Sequence, residues 1–409
     1  MTRRAFHGVS KRKPHAGRLR DPVPALPASQ PGNVASDALQ MVGAMSAEGA
    51  GNGVLRISLS AIRSNYRTIA AHVAPSRCAA VLKADAYGLG IDRVAPALYA
   101  EGCRDFFVAM LSEALALKPL LPGDATIHVL NGVMPGHEGL CAAAGIRPVL
   151  NSLNQAVAWV QRSGAAGNGI GAALQLDTGM SRMGLPADEL AALAGNPELV
   201  GRAGIKLIMS HLAVADEPRH PGNALQLAAF RATARHLPEV PRSLANSAGI
   251  FLSPSYHFDL CRPGAALYGL VVSPRMPPLR PAVSLYGRVV QLRWISPGAM
   301  VGYGWTFRAR RNTRVATISV GYADGFLRFA SDRGAVWLGD HRLRVIGKVS
   351  MDSLTVDATD VPADKIRPGA YVEILGPHQS VEDLASDAGT INYEILTCLG
   401  TRYWRVYVD

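Results

Sequence analysis

Lys83 stands at a place in the chain where a lysine can carry chemistry. It ends the apolar run Cys78–Leu82 and is followed by Asp85, Tyr87 and two glycines. An apolar run of this length predicts a buried strand, and α/β proteins hold their ligands at the carboxyl ends of parallel strands. A partly desolvated lysine amine attacks carbonyl groups, as it does in a Schiff base with pyridoxal phosphate. A strand-end lysine is more often structural, so Lys83 alone leaves both interpretations open.

Three other charged or titratable side chains follow apolar runs or lie in glycine-containing turns. Arg182 lies in the segment Leu174–Gly184, and its guanidinium group suits an oxyanion or a carboxylate. His211 ends another predicted strand, and Arg262 follows the apolar run that ends at Cys261. The pKa of a guanidinium group lies above about 12, so an arginine does not donate its proton to a ligand. Each of these residues, taken alone, is more simply a surface or structural group.

Ser247 and Tyr303 each lie in a turn that contains glycine. Ser247 belongs to the sequence ANSAG (Ala245–Gly249), whose hydroxyl and backbone N–H groups suit a phosphate. Tyr303 lies between two glycines in Val301–Phe307. A phenol with its free pKa of about 10 is a poor base at neutral pH, so neighbouring groups would have to lower the pKa of a catalytic tyrosine. Most Ser, Asn and Gly clusters are simply turns, and most such tyrosines are turn or interface residues.

Alternating strand and helix patterns position most of these residues. Val54–Ser58 is predicted as a first strand, and Ser60 as the N-cap of a helix that ends at His72. Eight further strands are predicted at Cys78–Lys83, Asp105–Ala109, Thr126–Leu130, Arg147–Leu150, Ala172–Leu176, Lys206–His211, Arg242–Ala245 and His257–Cys261. Helix patterns separate most of them, at Asp92–Glu101, Ser112–Lys118, Leu153–Arg162, Ala187–Ala194 and Ala224–His236. This rhythm predicts an α/β fold with a TIM-type (β/α)8 barrel over residues 54–280.

Strand patterns dominate after the proline-rich segment Met276–Pro281, which is predicted to be a linker. Strands are predicted at Val283–Ile295, Val315–Gly321, Ala335–Leu338, Leu343–Val349, Leu354–Asp357 and Tyr371–Leu375. One helix is predicted, with Ser380 as its N-cap and Asp383 three residues later, as in a capping box. Residues 281–409 are therefore predicted to form a smaller, mainly β C-terminal domain.

The positive charge of the chain is concentrated at its start. The formal net charge is +11 and the pI about 9.6, and residues 1–53 supply +4 of that charge, as seven Arg or Lys against three acidic residues. The rest of the chain carries a modest excess, so nucleic-acid binding is not expected. Residues 1–53 contain Pro and Gly, show no periodicity and are predicted to be a disordered extension. The arginine pair near the start is not followed by an apolar stretch, which argues against a twin-arginine export signal.

Cysteine usage and hydropathy exclude further classes of protein. The five cysteines are widely spaced and form no CxxC pair, which argues against a zinc site and against a disulfide framework. We therefore expect a reducing, cytoplasmic location and no metal. No run of 18 apolar residues occurs, so no membrane span is expected.

The chain after residue 53 resembles the alanine racemases, which are pyridoxal-phosphate enzymes built on a barrel. The segments that carry the resemblance are VLKADAYGLG, LQLDTGMSRMG, MSHLAVADE, ANSAG, CRPGAALYGL, VGYGWTF, SVGYADG, VSMDSL and NYEIL. Each segment is weakly specific alone, whereas their shared order and spacing are specific. The resemblance also implies a barrel that is followed by a mainly β domain.

The resemblance implies two catalytic residues. Lys83 would hold pyridoxal phosphate as an internal aldimine and, once freed by substrate, would move the proton on the D-face. Tyr303 would come from the β domain of the partner subunit and would move the proton on the L-face. Racemisation needs such a pair, because one group removes the α-proton and another returns a proton to the opposite face. The active unit would be a head-to-tail homodimer with two composite sites.

The resemblance also implies a set of residues around the cofactor. These are Tyr87, Ser247, Gly264 and Tyr393 at the phosphate, His211 against the pyridine ring with Asn246 behind it, and Arg262 at the pyridine nitrogen. Because Arg262 keeps its proton, that nitrogen would stay unprotonated, and the ring would be a weaker electron sink that discourages side reactions. A hydrogen-bond chain from Tyr303 through His211 to Arg262 would lower the pKa of the tyrosine.

On the substrate side, the resemblance implies that Arg182 contacts the phenolic oxygen of the cofactor and the substrate carboxylate. A Met351 N–H would bind the same carboxylate, while Tyr322 and Asp352 would line the entrance. Many family members have a carbamylated lysine two residues before the Asp of DTGM, and its anion orients the arginine. This chain has Gln175 there, which cannot be carbamylated. We therefore expect the Gln175 amide oxygen to hold Arg182, with an anion such as chloride beside them.

An enzyme of this family would interconvert L- and D-alanine and supply D-alanine for peptidoglycan. A broader racemase that acts on serine or lysine shares the motifs and differs in pocket size. A barrel decarboxylase of related fold would have a cysteine in the β domain where Tyr303 lies. A pyridoxal-phosphate-binding protein without catalysis would resemble the barrel alone, whereas this chain also has the β domain and the second candidate base.

Overall fold

A closed ring of parallel strands forms the barrel in the computed structural model, which describes residues 53–163 and 169–409. In ring order the strands are β2 (Arg77–Cys78) with its continuation β3 (Ala80–Val81), β4 (Asp105–Val108), β5 (Thr126–Val129), β6 (Arg147–Leu150), β7 (Ala172–Gln175), β8 (Ile205–Met209), β9 (Arg242–Ser243) and β10 (Leu260–Cys261). The ring closes because the Asp259 N–H donates to the Arg242 carbonyl at 3.0 Å and the Arg77 N–H to the Asp259 carbonyl at 2.9 Å. The predicted (β/α)8 barrel is confirmed.

Helices pack outside the ring. Their bounds are Leu59–Val73, Ile91–Ala100, Leu111–Leu117, Glu138–Ala143, Leu153–Arg162, Ala187–Ala194, Pro197–Ala203 and Gly222–Ala234. The first helix buries Ile62, Tyr66, Ile69 and Val73, which recur every three or four residues and so form one apolar face. None of the helices in the described ranges is long and apolar enough to cross a membrane.

The N-cap predicted for the first helix was wrong by two residues. Ser58 is the cap, because its Oγ accepts the Ala61 N–H at 3.0 Å. Ser60 lies inside the helix, with its hydroxyl 3.1 Å from that of Ser58. Both serines can accept an N–H two or three residues ahead, so the choice depends on where the preceding strand ends.

A large, mainly antiparallel sheet forms the C-terminal domain. Its strands are β11 (Val283–Ile295), β14 (Thr313–Ile318), β15 (Ala335–Leu338), β16 (His341–Arg344), β17 (Leu354–Asp357), β18 (Tyr371–Leu375) and β19 (Trp404–Val408). A small hairpin joins β12 (Met300–Val301) to β13 (Phe307–Arg308), and two helices follow at Val381–Ala388 and Asn392–Thr397. The capping box at Ser380 is confirmed, since its Oγ accepts the Asp383 N–H at 3.1 Å while the Asp383 carboxylate accepts the Ser380 N–H at 3.0 Å.

The strand β1 (Gly53–Ser58) belongs to the C-terminal sheet, although the sequence pattern assigned it to the barrel region that begins at residue 54. It lies between β11, with which it pairs antiparallel, and β19, with which it pairs parallel. Its apolar residues Val54, Leu55 and Ile57 predict a strand but not its partners, which lie far along the chain. The predicted extension, apart from Gly53, lies outside the described residues.

Candidate active site

A left-handed helical turn follows Lys83 at the carboxyl end of β3. Ala84, Asp85, Ala86 and Tyr87 have φ of 54–59° and ψ of 37–51°. Each such residue costs about 1–2 kcal/mol relative to the right-handed region, so surrounding contacts must hold the turn. The Ala84 N–H donates to Glu113 Oε1 at 2.6 Å, and the Asp85 carboxylate accepts the Ile91 N–H at 2.7 Å.

The last strand of the chain holds the other end of this turn. Arg405 in β19 donates from Nη1 to the Gly88 carbonyl at 2.7 Å, and the Tyr407 hydroxyl donates to the Leu89 carbonyl at 3.0 Å. Gly90 has a φ of 89°, and a Cβ there would lie 2.1 Å from the Tyr407 hydroxyl. The C-terminal sheet therefore positions the segment that carries Lys83.

The Lys83 amine is half-buried and lies between charges of both signs. Burial lowers the pKa of Lys83 from its ordinary value, Arg182 lowers it further, and Glu113 opposes both. Arg182 follows a loop that the Asp177 carboxylate organises, because its Oδ1 accepts the backbone N–H groups of the three residues before Arg182, at 2.9–3.1 Å. The arrangement favours a neutral amine, which is the nucleophilic form.

Arg262 and His211 also belong to the predicted site; the first is charged and the second is neutral. Arg262 is 3% exposed and donates to the Ser243 hydroxyl and, at 2.6 Å, to the Ser210 carbonyl. Burial lowers the pKa of Arg262 to about 10, which still leaves it charged at neutral pH. Burial, together with the charges of Arg262, Arg182 and Lys83, lowers the pKa of His211 to about 3. His211 is therefore neutral, with the Asn246 amide nitrogen 3.5 Å from its Nε2.

Four of the predicted residues form a cluster of hydrogen-bonding groups near the carboxyl ends of β3 and β10. The Ser247 hydroxyl accepts the Gly264 N–H at 2.8 Å, and a Cβ on Gly264 would lie 2.3 Å from the Tyr87 hydroxyl. The rings of Tyr87 and Tyr393 lie 6.3 Å apart between centroids. Burial raises the pKa of both tyrosines, so both hydroxyls stay protonated and can donate. A cluster of hydroxyl and N–H donors fits the phosphate of pyridoxal phosphate, and the missing side chain of Gly264 lets its backbone approach the Tyr87 hydroxyl closely.

Four residues that the sequence assigned to the site lie on the surface of the C-terminal domain, namely Tyr303, Tyr322, Met351 and Asp352. Tyr303 is 70% and Met351 53% exposed. The hairpin that carries Tyr303 packs through Val301 on Ile346. The loop that contains Tyr322 is joined to the Met351 loop, because the Tyr322 N–H donates to the Ser350 carbonyl at 3.0 Å.

Arg402 ties these two loops to each other. It donates to both carboxylate oxygens of Asp324, at 2.7 and 2.8 Å, and to Asp352 at 2.6 Å. Asp324 caps the turn after Gly321, whose N–H it accepts at 2.9 Å. The predicted entrance residue Asp352 is therefore held by an ion pair on the same surface.

Comparison with known proteins agrees with this geometry. Residues 57–272 match the family model "Alanine racemase, N-terminal domain", and residues 282–407 match "Alanine racemase, C-terminal domain". The chain is 52% identical over 373 residues to the alanine racemase of Brucella canis, a match that covers 88% of this chain and 94% of that protein. The chain belongs to the alanine racemase family.

Solved structures of the alanine racemase family have the same fold. The alanine racemase of Bartonella henselae, whose crystal structure has covalently bound pyridoxal phosphate, is 46% identical with a TM-score of 0.84, and the match covers 87% of this chain and 99% of that one. The alanine racemase of Streptomyces coelicolor is 33% identical with a TM-score of 0.83, over 89% of this chain and 100% of that one. A relative from Agrobacterium fabrum, named "Alanine racemase, catabolic", is 49% identical over 89% of this chain and 94% of its own length.

One expected contact of this alanine racemase family member is not formed. No hydrogen bond within the described residues joins the Gln175 amide to Arg182. Gln175 is 6% exposed at the end of β7, whereas Arg182 is exposed at the end of the loop that Asp177 holds. We expected the two residues to be partners because Gln175 stands where many family members have the carbamylated lysine that orients the arginine.

Sequence reasoning missed residues that hold the site from behind. Gln226 donates to the His211 carbonyl at 3.0 Å and accepts the Ala213 N–H at 2.8 Å, so it positions the segment around His211. Glu113 and Arg405 hold the turn after Lys83. None of these three lies in a segment that carried the resemblance, and their contacts join distant parts of the chain.

Proposed function

We propose that this chain is a pyridoxal-phosphate-dependent alanine racemase, an isomerase that interconverts L- and D-alanine. The observation that carries the proposal is the juxtaposition at one end of the barrel of Lys83, neutral His211 and charged Arg262 with the donor cluster around Gly264. Membership of the alanine racemase family supports the same activity. The described residues contain no group of three His, Cys, Asp or Glu side chains suited to a metal.

The donor cluster would hold the phosphate of the cofactor. Tyr87, Tyr393, Ser247 and the Gly264 N–H would donate to its oxygens, and Lys83 would bind its carbonyl carbon. The cofactor, when bound, supplies a conjugated ring that withdraws electrons from the substrate and so acidifies the α-proton. Burial and Arg182 disfavour the charged form of the Lys83 amine, and it is the neutral form that would attack a carbonyl and accept a proton.

Arg262 would limit how strongly the cofactor withdraws electrons. Its guanidinium group is held by Ser243 and Ser210 and remains charged at neutral pH, so it keeps its proton when it faces the pyridine nitrogen. Because His211 is neutral, it does not protonate that ring either. By leaving that nitrogen unprotonated, Arg262 and His211 would favour return of a proton to the α-carbon over other outcomes. Arg182 would pair with the substrate carboxylate.

Tyr303 would complete the site from a second copy of the chain. Racemisation requires a proton donor on the face opposite Lys83, and the high exposure of Tyr303 and Trp305 on the β12–β13 hairpin suits a surface that is covered by a partner. In a head-to-tail homodimer, Tyr303, Met351 and the Tyr322 and Asp352 entrance of one subunit would face the Lys83 of the other. A Met351 N–H would then bind the substrate carboxylate.

The product D-alanine would be used in the cytoplasm for peptidoglycan. A catabolic role is the second candidate, because the Agrobacterium relative is named a catabolic alanine racemase. Deleting the gene separates the two: a requirement for external D-alanine for growth supports peptidoglycan supply, whereas impaired growth on alanine as a carbon source supports catabolism. An anion beside Gln175 and Arg182 also remains a proposal, tested by the chloride dependence of alanine binding.

The activity is tested by α-proton exchange in D2O with each enantiomer of alanine, serine and lysine. We expect racemisation of alanine, and loss of it in both directions for Tyr303→Phe, with the α-proton of one enantiomer still exchanging at Lys83. Tyr99→Phe is the matched control, because the Tyr99 hydroxyl bonds Asp124 on the exposed barrel surface. Wild-type rates for Tyr303→Phe would overturn the two-base assignment, and faster turnover of serine or lysine would overturn the substrate assignment.

Mixing two inactive variants tests the composite site. A dimer of one Lys83→Ala and one Tyr303→Phe subunit has one intact site only if the lysine and the tyrosine of a site come from different chains. Random pairing then restores about a quarter of wild-type activity, because about half the dimers are mixed and each has one working site of two. No recovery in a mixture shown to contain mixed dimers would place both residues of a site in one chain.

A further inference from the structure

Glu113 divides its two carboxylate oxygens between two segments of backbone. Oε2 accepts the Ala109 N–H at 2.7 Å and the Met110 N–H at 3.0 Å, at the start of the helix Leu111–Leu117. Oε1 accepts the Ala84 N–H at 2.6 Å, in the turn that follows Lys83. The two oxygens therefore connect the ends of the neighbouring strands β3 and β4.

Helix capping explains only one of these oxygens. A glutamate in the first turn of a helix commonly reaches back to the N-cap backbone, and Oε2 does so here. That contact leaves Oε1 free for water or for another donor. Its bond to Ala84 adds nothing to the helix and instead fixes the first residue of the left-handed turn.

The turn needs such a contact because its backbone is strained. Ala84–Tyr87 adopt a conformation that residues with side chains rarely occupy in succession. Arg405 and Tyr407 hold the far end of this segment, at Gly88 and Leu89. Glu113 holds the near end, directly beside Lys83.

The charge of Glu113 acts on the same lysine. Burial and the guanidinium of Arg182 disfavour the charged form of the Lys83 amine, and His211, which is neutral, adds no opposing charge. Glu113 is the carboxylate that opposes them and raises the pKa of Lys83. Its charge and its hydrogen bond to the turn come from one side chain.

We infer that Glu113 is the positioning residue of Lys83: its carboxylate fixes the left-handed turn through the Ala84 N–H, and its negative charge acts on the amine without forming an ion pair with it. Glu113 acts through Lys83 and its turn and takes no direct part in proton transfer. The inference rests on the proposed function only in that Lys83 is the amine that binds the cofactor. The three hydrogen bonds of Glu113 on which the inference depends are formed by the protein without the cofactor.

Glu113→Gln is the decisive variant. A glutamine keeps one acceptor oxygen, which can still cap the helix, but loses the charge and places an NH2 group against the Ala84 N–H. Glu189→Gln is the matched control, because Glu189 Oε2 accepts the Leu153 N–H at 2.7 Å at the start of another barrel helix. Glu113→Asp keeps the negative charge on a shorter side chain that no longer reaches the Ala84 N–H, so it distinguishes the effect of the charge from that of the hydrogen bond.

Two measurements on the full-length chain report on Lys83 without catalysis. The first is the pKa of its amine, from the pH dependence of acetylation by acetic anhydride before pyridoxal phosphate is added, read by mass spectrometry at Lys83. The second is hydrogen exchange of the Ala84–Tyr87 amides. For Glu113→Gln we expect the amine pKa to fall by about one unit and Ala84 to exchange at least about tenfold faster. For Glu189→Gln we expect neither change.

The outcomes separate the interpretations. An unchanged Lys83 pKa and unchanged Ala84 exchange in Glu113→Gln, with a lower melting temperature alone, would show that Glu113 is only a helix cap and would overturn the inference. If Glu113→Gln does not fold, Glu113→Asp decides: a near-normal pKa with faster Ala84 exchange supports the inference, and slow exchange overturns it. Racemisation by the wild-type protein tests the proposed function separately, so failure of one result does not imply failure of the other.

Discussion

Replacing Gly264 by alanine puts a methyl group where the donor cluster is closest packed. The added Cβ would lie 2.3 Å from the Tyr87 hydroxyl, 3.0 Å from Tyr87 Cζ and 3.3 Å from Val81 Cβ. Carbon and oxygen in ordinary contact are about 3.4 Å apart, so the hydroxyl must retreat by about 1 Å. Tyr87 is 6% exposed and its ring packs 5.0 Å from that of Tyr268, so it has no open space to enter.

The magnitude follows from this overpacking. Forcing a methyl group into a packed interior costs about 1–3 kcal/mol. If the whole of this cost is taken from the binding free energy of the phosphate group, pyridoxal phosphate binds about 5-fold to about 150-fold more weakly. The backbone of Gly264 is not in the left-handed region, so the expected loss comes from space and not from conformation.

The assay is a titration of the chain with pyridoxal phosphate, followed by absorbance, together with the melting temperature of the chain before the cofactor is added. Gly201→Ala is the control, because no heavy atom outside its own helix lies within 4 Å of a Cβ there. We expect that control to be neutral or stabilising by up to about 1 kcal/mol.

A double variant locates the clash. Tyr87→Phe removes the hydroxyl that the new methyl would strike, so Gly264→Ala should weaken binding much less in that background, with a coupling of about 0.5–3 kcal/mol. The reasoning is refuted if Gly264→Ala binds pyridoxal phosphate and melts like Gly201→Ala. It is also refuted if the two substitutions are additive.

Two further predictions concern His211 and Arg402. The pKa of His211 is about 3 in the folded chain and about 6.5 in the unfolded chain, so the stability that neutral His211 contributes is fully present above pH 6.5 and is lost as the pH falls towards 3. Between these pH values the melting temperature of the wild type should therefore fall more steeply than that of His211→Gln. Equal slopes for the two proteins would contradict this prediction. Arg402→Gln removes three hydrogen bonds to Asp324 and Asp352 and should raise the KM for alanine more than it lowers kcat. Because the side chain of Arg402 is half exposed, we expect only a small loss of stability. Arg311→Gln, which breaks an exposed pair, should leave KM unchanged; equal effects of the two would exclude a role for the Arg402 clamp.

The barrel was predictable because its strands are buried on both faces. Asp105–Val108, for example, has four consecutive buried residues, and such runs bounded by turns identify strands without knowledge of their partners. Leu153–Arg162 was predictable as a helix because its apolar positions recur with helical spacing and Ser152 caps it. The cluster of Tyr87, Ser247 and Gly264 followed from the family resemblance, and the structure brings these residues together.

Features that depend on distant contacts were not predictable. Ala84–Tyr87 contains alanine, aspartate and tyrosine, which prefer right-handed conformations, so only contacts from Glu113 and β19 explain its left-handed turn. The partners of β1 are set by strands that lie more than 200 residues later, which no local pattern shows. The Gln175–Arg182 contact was carried over from the lysine of the family pattern, and the structure forms no hydrogen bond between the glutamine that replaces it and Arg182.

The position of β1 between β11 and β19 means that the barrel is an insertion within the C-terminal sheet. During synthesis on the ribosome, β1 emerges long before either of its neighbours, so both of its edges stay unpaired until β11 and then β19 have been made. Pairing with β19 brings Arg405 and Tyr407 to the Lys83 turn. The turn after Lys83 is therefore held in place only after a strand that lies more than 300 residues later has been made, so the site forms late although its lysine is made early.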